Sequence, residues 1–569
     1  MKGKYLFFAG LACTVFAACS SDENVTDGAL DANTDQAYVA ISLNNATGGM
    51  DGRGTDGGLE YGDAKENAVG DENAVSTAEF YFYNADGAFN QYVSKPLTWT
   101  ANTGNPVGNV EKFSNATVVL QNLAKVGKPK YVVCVLNGAA GAYKDKTLTE
   151  LKAALSTRYL NGENFIMTNS TYNNSDATSQ YFATVMNDNN FLKEKPTEEK
   201  LTNANAVQIY VERLASKVTV NTTLTLSGTS NNELTIGKYD VDGVEKDLKI
   251  KVLGWGLNAL NKNEYVEKHV PAWETKLGNF TWDAQDLYRS YWACSPNYGG
   301  GTYPTSFANV VETNNANEDK ATVSSTAGYS LQYVSWNNLG NSLGSAAYCM
   351  ENTNTADELK SGNFKAKVTH VLLKAQTVGG EDLIRYDGRL YTKQNFLNRI
   401  LSQLNMPLYT KSGSEYTQIA TSDLAVVNTY DGTVDMALTE TAAAKDWYVK
   451  NGAEYTACDV ATINAKFDAL EIKADYYKNG MMYYCVPIEH LRGGKVTYND
   501  DLSVSVNEAD YGVVRNHHYV LSINKIQNLG TAVYNPDEQI VPVVESPTYY
   551  VGAKVNILSW KVVNQSVDL

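Results

Sequence analysis

Two positions in this sequence invite covalent chemistry. Cys19 directly follows Phe16-Ala17-Ala18, and small residues before a Cys form a lipoprotein signal, with cleavage before the thiol and acylation of its sulfur. Phe16 stands where Leu is more usual. The apolar run before Cys19 spans Tyr5 to Ala18 and is preceded by Lys2 and Lys4. It is too short for a hydrocarbon core of about 30 Å and suits a signal-peptide core instead. The second position is Arg53, followed by Gly54 in a Gly/Asp/Asn-rich stretch from Asn44 to Gly58. An exposed, small-residue loop is where proteases cut, and the basic side chain suits an arginine-specific protease.

Catalytic and ligand-binding patterns are otherwise missing. No phosphate-cradling Gly-rich loop follows a strand, and neither GxSxG nor HExxH occurs. His517 and His518 are neighbours on an expected strand, so they face opposite ways and cannot chelate one metal together. Asp240 to Glu245 imitates the start of a calcium loop, but lacks its twelve-residue pattern and reads as a hairpin turn. Seven Cys occur, at 13, 19, 134, 294, 349, 458 and 485, without CxxC or Cys/His spacing. Cys134 and Cys485 sit in apolar runs that predict buried thiols; a Cys458–Cys485 bridge is left open. No cofactor, no metal and no enzymatic activity are expected. The formal charge of −16 argues against a nucleic-acid partner, because phosphate binding needs a basic footprint.

The elements that must position these features are mostly strands. Tyr (38 residues), Thr, Val, Asn and Gly abound, while charged residues make up only 19%. That balance predicts a mainly β chain, and 569 residues exceed one ordinary core. The expected division is a leader at 1–18, a propeptide at 19–53, a first domain at 54–212, a second at 213–548 and a tail at 549–569. Strands are expected at 77–83 (alternating), 117–120, 130–136, 218–226, 248–253, 366–374 and 521–526. Tyr476 to Val486 reads as a hairpin about Asn479-Gly480. Thr147 and Glu150 have capping-box spacing for a helix at 148–156, and Phe396, Ile400 and Leu404 predict one at 393–404.

Two lone strands flank this body. At the front, Ala37, Val39, Ile41 and Leu43 alternate on one face; at the back, Val551, Ala553, Val555 and Ile557 do the same. The parity breaks at Leu558, which predicts a bulge or two successive strands, with Trp560 as a packing anchor and Val562 beyond it. A lone strand must pair with something. Cutting after Arg53 would free strand 37–43 and expose a groove that the tail of another copy can fill. A head-to-tail joint of this kind builds a filament.

The leader, Arg53, VLNG at 135–138, VERLASKV at 211–218, VVRNHHY at 513–519 and NILSWKVVNQSVDL at 556–569 resemble the fimbrillins of Bacteroidales. The resemblance is strongest to the shaft subunit of their short, or minor, fimbriae. It implies two transthyretin-like β-sandwich domains with a few short helices. It also implies export as an outer-membrane lipoprotein lipidated at Cys19, leader removal at Arg53 by an arginine-specific protease, and polymerisation into an extracellular fimbrium. The implied partners are copies of itself and accessory tip and anchor subunits, and the implied roles are adhesion and biofilm formation. Residues 225–470 match only loosely. A tip or anchor subunit, a surface glycan-binding lipoprotein and a secreted glycosidase are the alternative readings.

Overall fold

A computed structural model describes residues 35–46, 72, 74–97, 100–101, 110–171, 181–196, 205–270, 292–304, 311–312, 322–323, 328–361, 363–428, 434–490, 497–498, 504–542, 553–558 and 561–567. The first part of the chain builds one large sheet. Its main strands are β1 (Gln36–Ala46), β2 (Thr77–Tyr83), β3 (Phe89–Pro96), β4 (Val110–Gln121), β5 (Tyr131–Leu136), β6 (Met167–Asn169) and β7 (Val207–Arg213). They lie in the order β3-β2-β5-β6-β7-β1-β4, with Thr100–Ala101 beyond β4.

One face of this sheet carries Val39, Ile41, Phe80, Phe82, Val118, Val132, Cys134, Ile209 and Val211 into a single core. The other face is covered as well: Tyr81, Tyr83, Val133 and Val135 pack under Leu148, Leu151, Phe182, Leu214 and Val266. The alternation in β2 therefore separates two buried faces rather than a wet and a dry one. The Thr147–Glu150 capping box forms as expected, but its helix stops at Lys152 and Leu155–Ser156 becomes a strand. Asn137, in VLNG, takes a left-handed conformation at the end of β5.

The later part begins with β8 (Ser216–Thr222), β9 (Glu233–Val241), β10 (Val244–Asn258) and β11 (His370–Thr377). It ends with β12 (Met481–Pro487), β13 (His517–Ile523), β14 (Ala553–Leu558) and β15 (Lys561–Val567). The expected strand at 366–374 starts only at His370, because Phe364–Ala366 is a short 3-10 turn. The expected strand at 218–226 ends at Thr222 and that at 521–526 ends at Ile523. Asp242 and Gly243 join β9 to β10 with φ of 56° and 82°, the mirror-image turn of a two-residue hairpin. The Asp242 carboxylate accepts both the backbone N–H and the hydroxyl of Thr392, at 3.0 and 2.9 Å, so it serves the turn.

An eight-stranded sheet runs Ala474–Tyr477, Leu383–Tyr386, Arg389–Thr392, β9, β10, β11, β12, Thr531–Ala532. This corrects the hairpin expected about Asn479-Gly480. Both residues have the positive φ such a turn needs, 53° and 70°, yet the flanking strands pair elsewhere, with Leu383–Tyr386 and with β11. The sheet curls until its ends approach: the Tyr477 hydroxyl donates to the Gly530 carbonyl at 3.1 Å. Asn479-Gly480 thus leads from the strand at one end to β12, next to the other end, instead of joining paired neighbours.

A second sheet, Ala346–Cys349, β8, β13, β14, β15, packs with the first around Val218, Val220, Trp255, Leu373, Tyr484, Tyr519 and Leu521. The helix Lys393–Leu404 spans the expected residues and buries Phe396, Leu397, Ile400 and Leu404 in a further core with Trp447 and Phe467. Among the described residues no disulfide joins Cys134, Cys294, Cys349, Cys458 or Cys485; Cys134 is buried, Cys485 half-buried.

Candidate functional site

The front strand is an inner strand of the first sheet. Along one edge β1 runs antiparallel to β4, from Gln36 opposite Gln121 to Ala46 opposite Val110. Its other edge meets Phe191–Leu192 at Val39 and Tyr38, then runs parallel to β7 from Ile41 opposite Val207 to Asn45 opposite Val211. Asp35 holds the entry to this strand, its carbonyl accepting the Leu123 N–H at 3.2 Å and its carboxylate accepting that of Ala124.

Val39, Ile41 and Leu43, the three leader residues named from the sequence, are 0%, 1% and 0% exposed. Ala40 on the opposite face is also fully buried, while Tyr38 and Ser42 are half-buried. Removing β1 would leave a slot between β4 and β7 lined by Phe80, Val118, Ile209 and Val211, with main-chain donors and acceptors on both walls. Side chains such as these contribute about 1.5–3 kcal/mol each on burial. The chain leaves β1 into residues 47–71, where Arg53 and Gly54 lie; these two, and Cys19, fall outside the described residues.

The back of the chain forms two successive strands, one of the two outcomes that the parity break at Leu558 predicts. β14 runs antiparallel to β13, with Leu558 opposite His518, Ile557 opposite Tyr519, Val555 opposite Leu521 and Lys554 opposite Ser522. β15 turns back antiparallel to β14, placing Val562 opposite Ile557. Val551 and Trp560 lie outside the described residues. The leader and donor residues are therefore not brought together within one chain: β1 lies in the first sheet and the tail on the edge of another.

The internal motifs 211–218 and 513–519 meet each other. β8 runs parallel to β13, with Lys217 opposite His518. Arg213 donates to Asn516 Oδ1 at 3.0 Å, Ser216 Oγ to the Val514 carbonyl at 2.8 Å, and the Asn516 N–H to the Ala215 carbonyl at 2.8 Å. Around this junction three ion pairs are buried among the described residues. Lys268–Glu212 closes at 2.7 Å, Arg515–Glu351 at 2.8 Å and Lys217–Glu72 at 2.8 Å. Arg515 also donates to the carbonyls of Val266 and Tyr265, at 3.0 and 2.6 Å.

Burial pushes the Glu264 and Glu267 carboxyls up, against the pull of Arg515, and pushes the Lys268 ammonium down, against the pull of Glu212. No local pattern signals this cluster, because its members are brought together from distant parts of the chain. The cluster can fix the first sheet against the later strands, since β7 ends in it and β8 begins in it. His517 and His518 do point apart: His517 Nδ1 lies 2.8 Å from the Arg515 carbonyl and His518 Nε2 lies 2.8 Å from Thr219 Oγ1. Among the described residues no group of three or more His, Cys, Asp or Glu is placed to hold a metal, and no helix is long and apolar enough to cross a membrane.

Comparison with known proteins places a match on the tail. No curated protein sequence matches the chain. Solved structures similar to it include a candidate cell adhesion protein from Parabacteroides distasonis, at 10% identity and a TM-score of 0.36, covering 93% of this chain and 100% of that one. A fimbrial assembly protein from the same organism is 11% identical, with a TM-score of 0.26 and coverage of 74% and 100%. The tip fimbrial protein Mfa3 from Porphyromonas gingivalis, solved with a C-terminal truncation, is 10% identical, with a TM-score of 0.31 and coverage of 92% and 100%. Likeness at that level carries no argument about fold or function. Residues 475–566 match the family described as major fimbrial subunit protein type IV, fimbrillin, C-terminal. β14, and β15 up to its last residue, fall within the match, so the chain carries a region similar to the C-terminal part of fimbrillins.

Proposed function

We propose that this protein is a structural subunit of a cell-surface fimbrium, exported as a lipoprotein through Cys19, cut after Arg53 and polymerised by strand exchange. One observation carries the reading. A strand at the front of the chain, joined to the rest through the segment that holds Arg53, is an inner strand of a sheet and supplies three fully buried core residues. A front strand so placed completes the fold until it is cut away, and its departure opens a slot that another strand must fill. The fimbrillin match over 475–566 supports the class. On this reading the partners are other copies of the chain, tip and anchor subunits, and an arginine-specific protease; the precursor is held at the outer membrane by lipid. The role is structural rather than catalytic, with adhesion and biofilm formation following from the filament. The two halves of the chain act as β-sandwich domains of the transthyretin-like kind, meeting near 212–213.

The test is digestion of residues 20–569 with an arginine-specific protease, read on SDS gels without boiling. The expected result is a new terminus at Gly54 and a ladder of multimers that disappears when 549–569 is deleted. A cleaved protein that remains monomeric would exclude strand exchange as its means of assembly.

A further inference from the structure

The leader and the tail share a pattern. Ala37, Val39 and Ile41 alternate in β1 as Ala-x-Val-x-Ile, and Ala553, Val555 and Ile557 repeat it in β14. In β1 these three are core residues, at 7%, 0% and 1% exposure. On the strand-exchange reading above, we infer that β14 of a second copy is the donor and that it occupies the slot of β1 in one register. Ala553 takes the place of Ala37, Val555 that of Val39 and Ile557 that of Ile41. At these three places the side chains keep their volumes, so the positions of Ala37, Val39 and Ile41 are refilled without a cavity or an overlap. Register in a sheet with buried faces is set by such matching, because a slip of one residue reverses every side chain.

The same register fixes the direction of entry: β14 runs antiparallel to β4 and parallel to β7, as β1 does. A rival phase of the tail, Leu558-Trp560-Val562 in the places of Val39, Ile41 and Leu43, would put Trp560 where Ile41 fits and overfill the core. The mismatches of the inferred register are Asn556 at the place of fully buried Ala40 and Ser559 at the place of fully buried Leu43. β14 is paired with β13 within its own chain, so it must leave that partner before it donates.

Cysteine cross-linking tests the register. Thr117 on β4 lies opposite Ala40, so in the inferred joint it faces Asn556 of the next subunit. Within one chain β4 and β14 belong to different sheets. The variant Thr117→Cys/Asn556→Cys, cut after Arg53 and oxidised, is expected to give a covalent ladder that collapses on reduction. Its uncut form should remain monomeric, and so should the cut parent chain with its native thiols once boiled in SDS. Thr117→Cys/Ser559→Cys tests the rival phase, and a ladder there instead would overturn the register while leaving strand exchange standing. A cleaved chain forming multimers that neither pair can lock would also overturn it. No multimers in the cut parent chain would sink the strand-exchange reading itself. A second readout does not depend on cysteine: Ile557→Ala should shorten the lifetime of the joint at least tenfold, whereas Asn556→Ala should not shorten it. Equal effects from both would contradict the inferred register.

Discussion

Replacing Ile41 by Ala in the uncut precursor removes a fully buried side chain from the centre of the leader strand. Its neighbours on β4 and β7 are Ala116 and Val207, both held in ladders that limit collapse into the space left behind. Truncations of this kind cost about 2–5 kcal/mol. Until Arg53 is cut, that loss lowers the melting temperature of the first sheet. After the cut, the leader is held only by side-chain packing and main-chain hydrogen bonds, so the same loss falls on its residence time. At about 1.4 kcal/mol per decade, even the lower bound of about 2 kcal/mol predicts release about 30-fold faster. The assay is arginine-protease cleavage of residues 20–569, followed by timed mass analysis of the free peptide that contains 36–46. Tyr38→Ala, at a half-buried position on the opposite face, is the control and should change release far less. Equal release from the wild type and Ile41→Ala would refute the claim that core packing retains the leader.

Three further outcomes follow from the same geometry. Lys268→Met removes the ammonium paired with the buried Glu212 carboxylate and should cost about 3–5 kcal/mol, while Lys268→Met/Glu212→Leu recovers most of it; calorimetry reads both. His370 is fully buried, and burial pushes its pKa down to about 4, opposed by the Val368 carbonyl. Its neutral form is therefore favoured by folding, and the stability present above about pH 6.5 is lost as pH falls towards 4. The loss amounts to about 2 kcal/mol at pH 5, visible as a lower melting temperature whose pH slope flattens in His370→Gln. Arg53→Ala should block the arginine-protease cut that frees β1, and the protein should remain monomeric on SDS gels.

The period of a strand and the spacing of a helix cap are local, and they were legible. The alternation of Val39, Ile41 and Leu43, the Thr147–Glu150 box, the helix at 393–404 and the Asp242-Gly243 turn all appear where the residues put them. What depends on partners far along the chain was not. β2 alternates as a half-wet strand would, but the layer over Tyr81 and Tyr83 comes from residues as distant as Phe182, Leu214 and Val266. Asn479-Gly480 has turn chemistry, yet the curl of the sheet assigns its flanking strands to other neighbours. Glu212 and Lys268 are 56 residues apart, and only the junction of β7 and β8 buries them together. For the candidate site, the front strand could be named from its period and its burial anticipated, whereas its position between β4 and β7 could not. The tail was legible as a strand pattern broken at Leu558, by a bulge or by a second strand; its docking on β13 was not.

The central claim is that β1 leaves and is replaced. The most direct test is to cut residues 20–569 with the arginine-specific protease, isolate the resulting multimers and analyse them by mass spectrometry for the peptide containing 36–46. The account predicts multimers that begin at Gly54 and contain no 36–46, with that peptide recovered from the unassembled fraction. Multimers that retain 36–46 in equal proportion to the rest of the chain would contradict it.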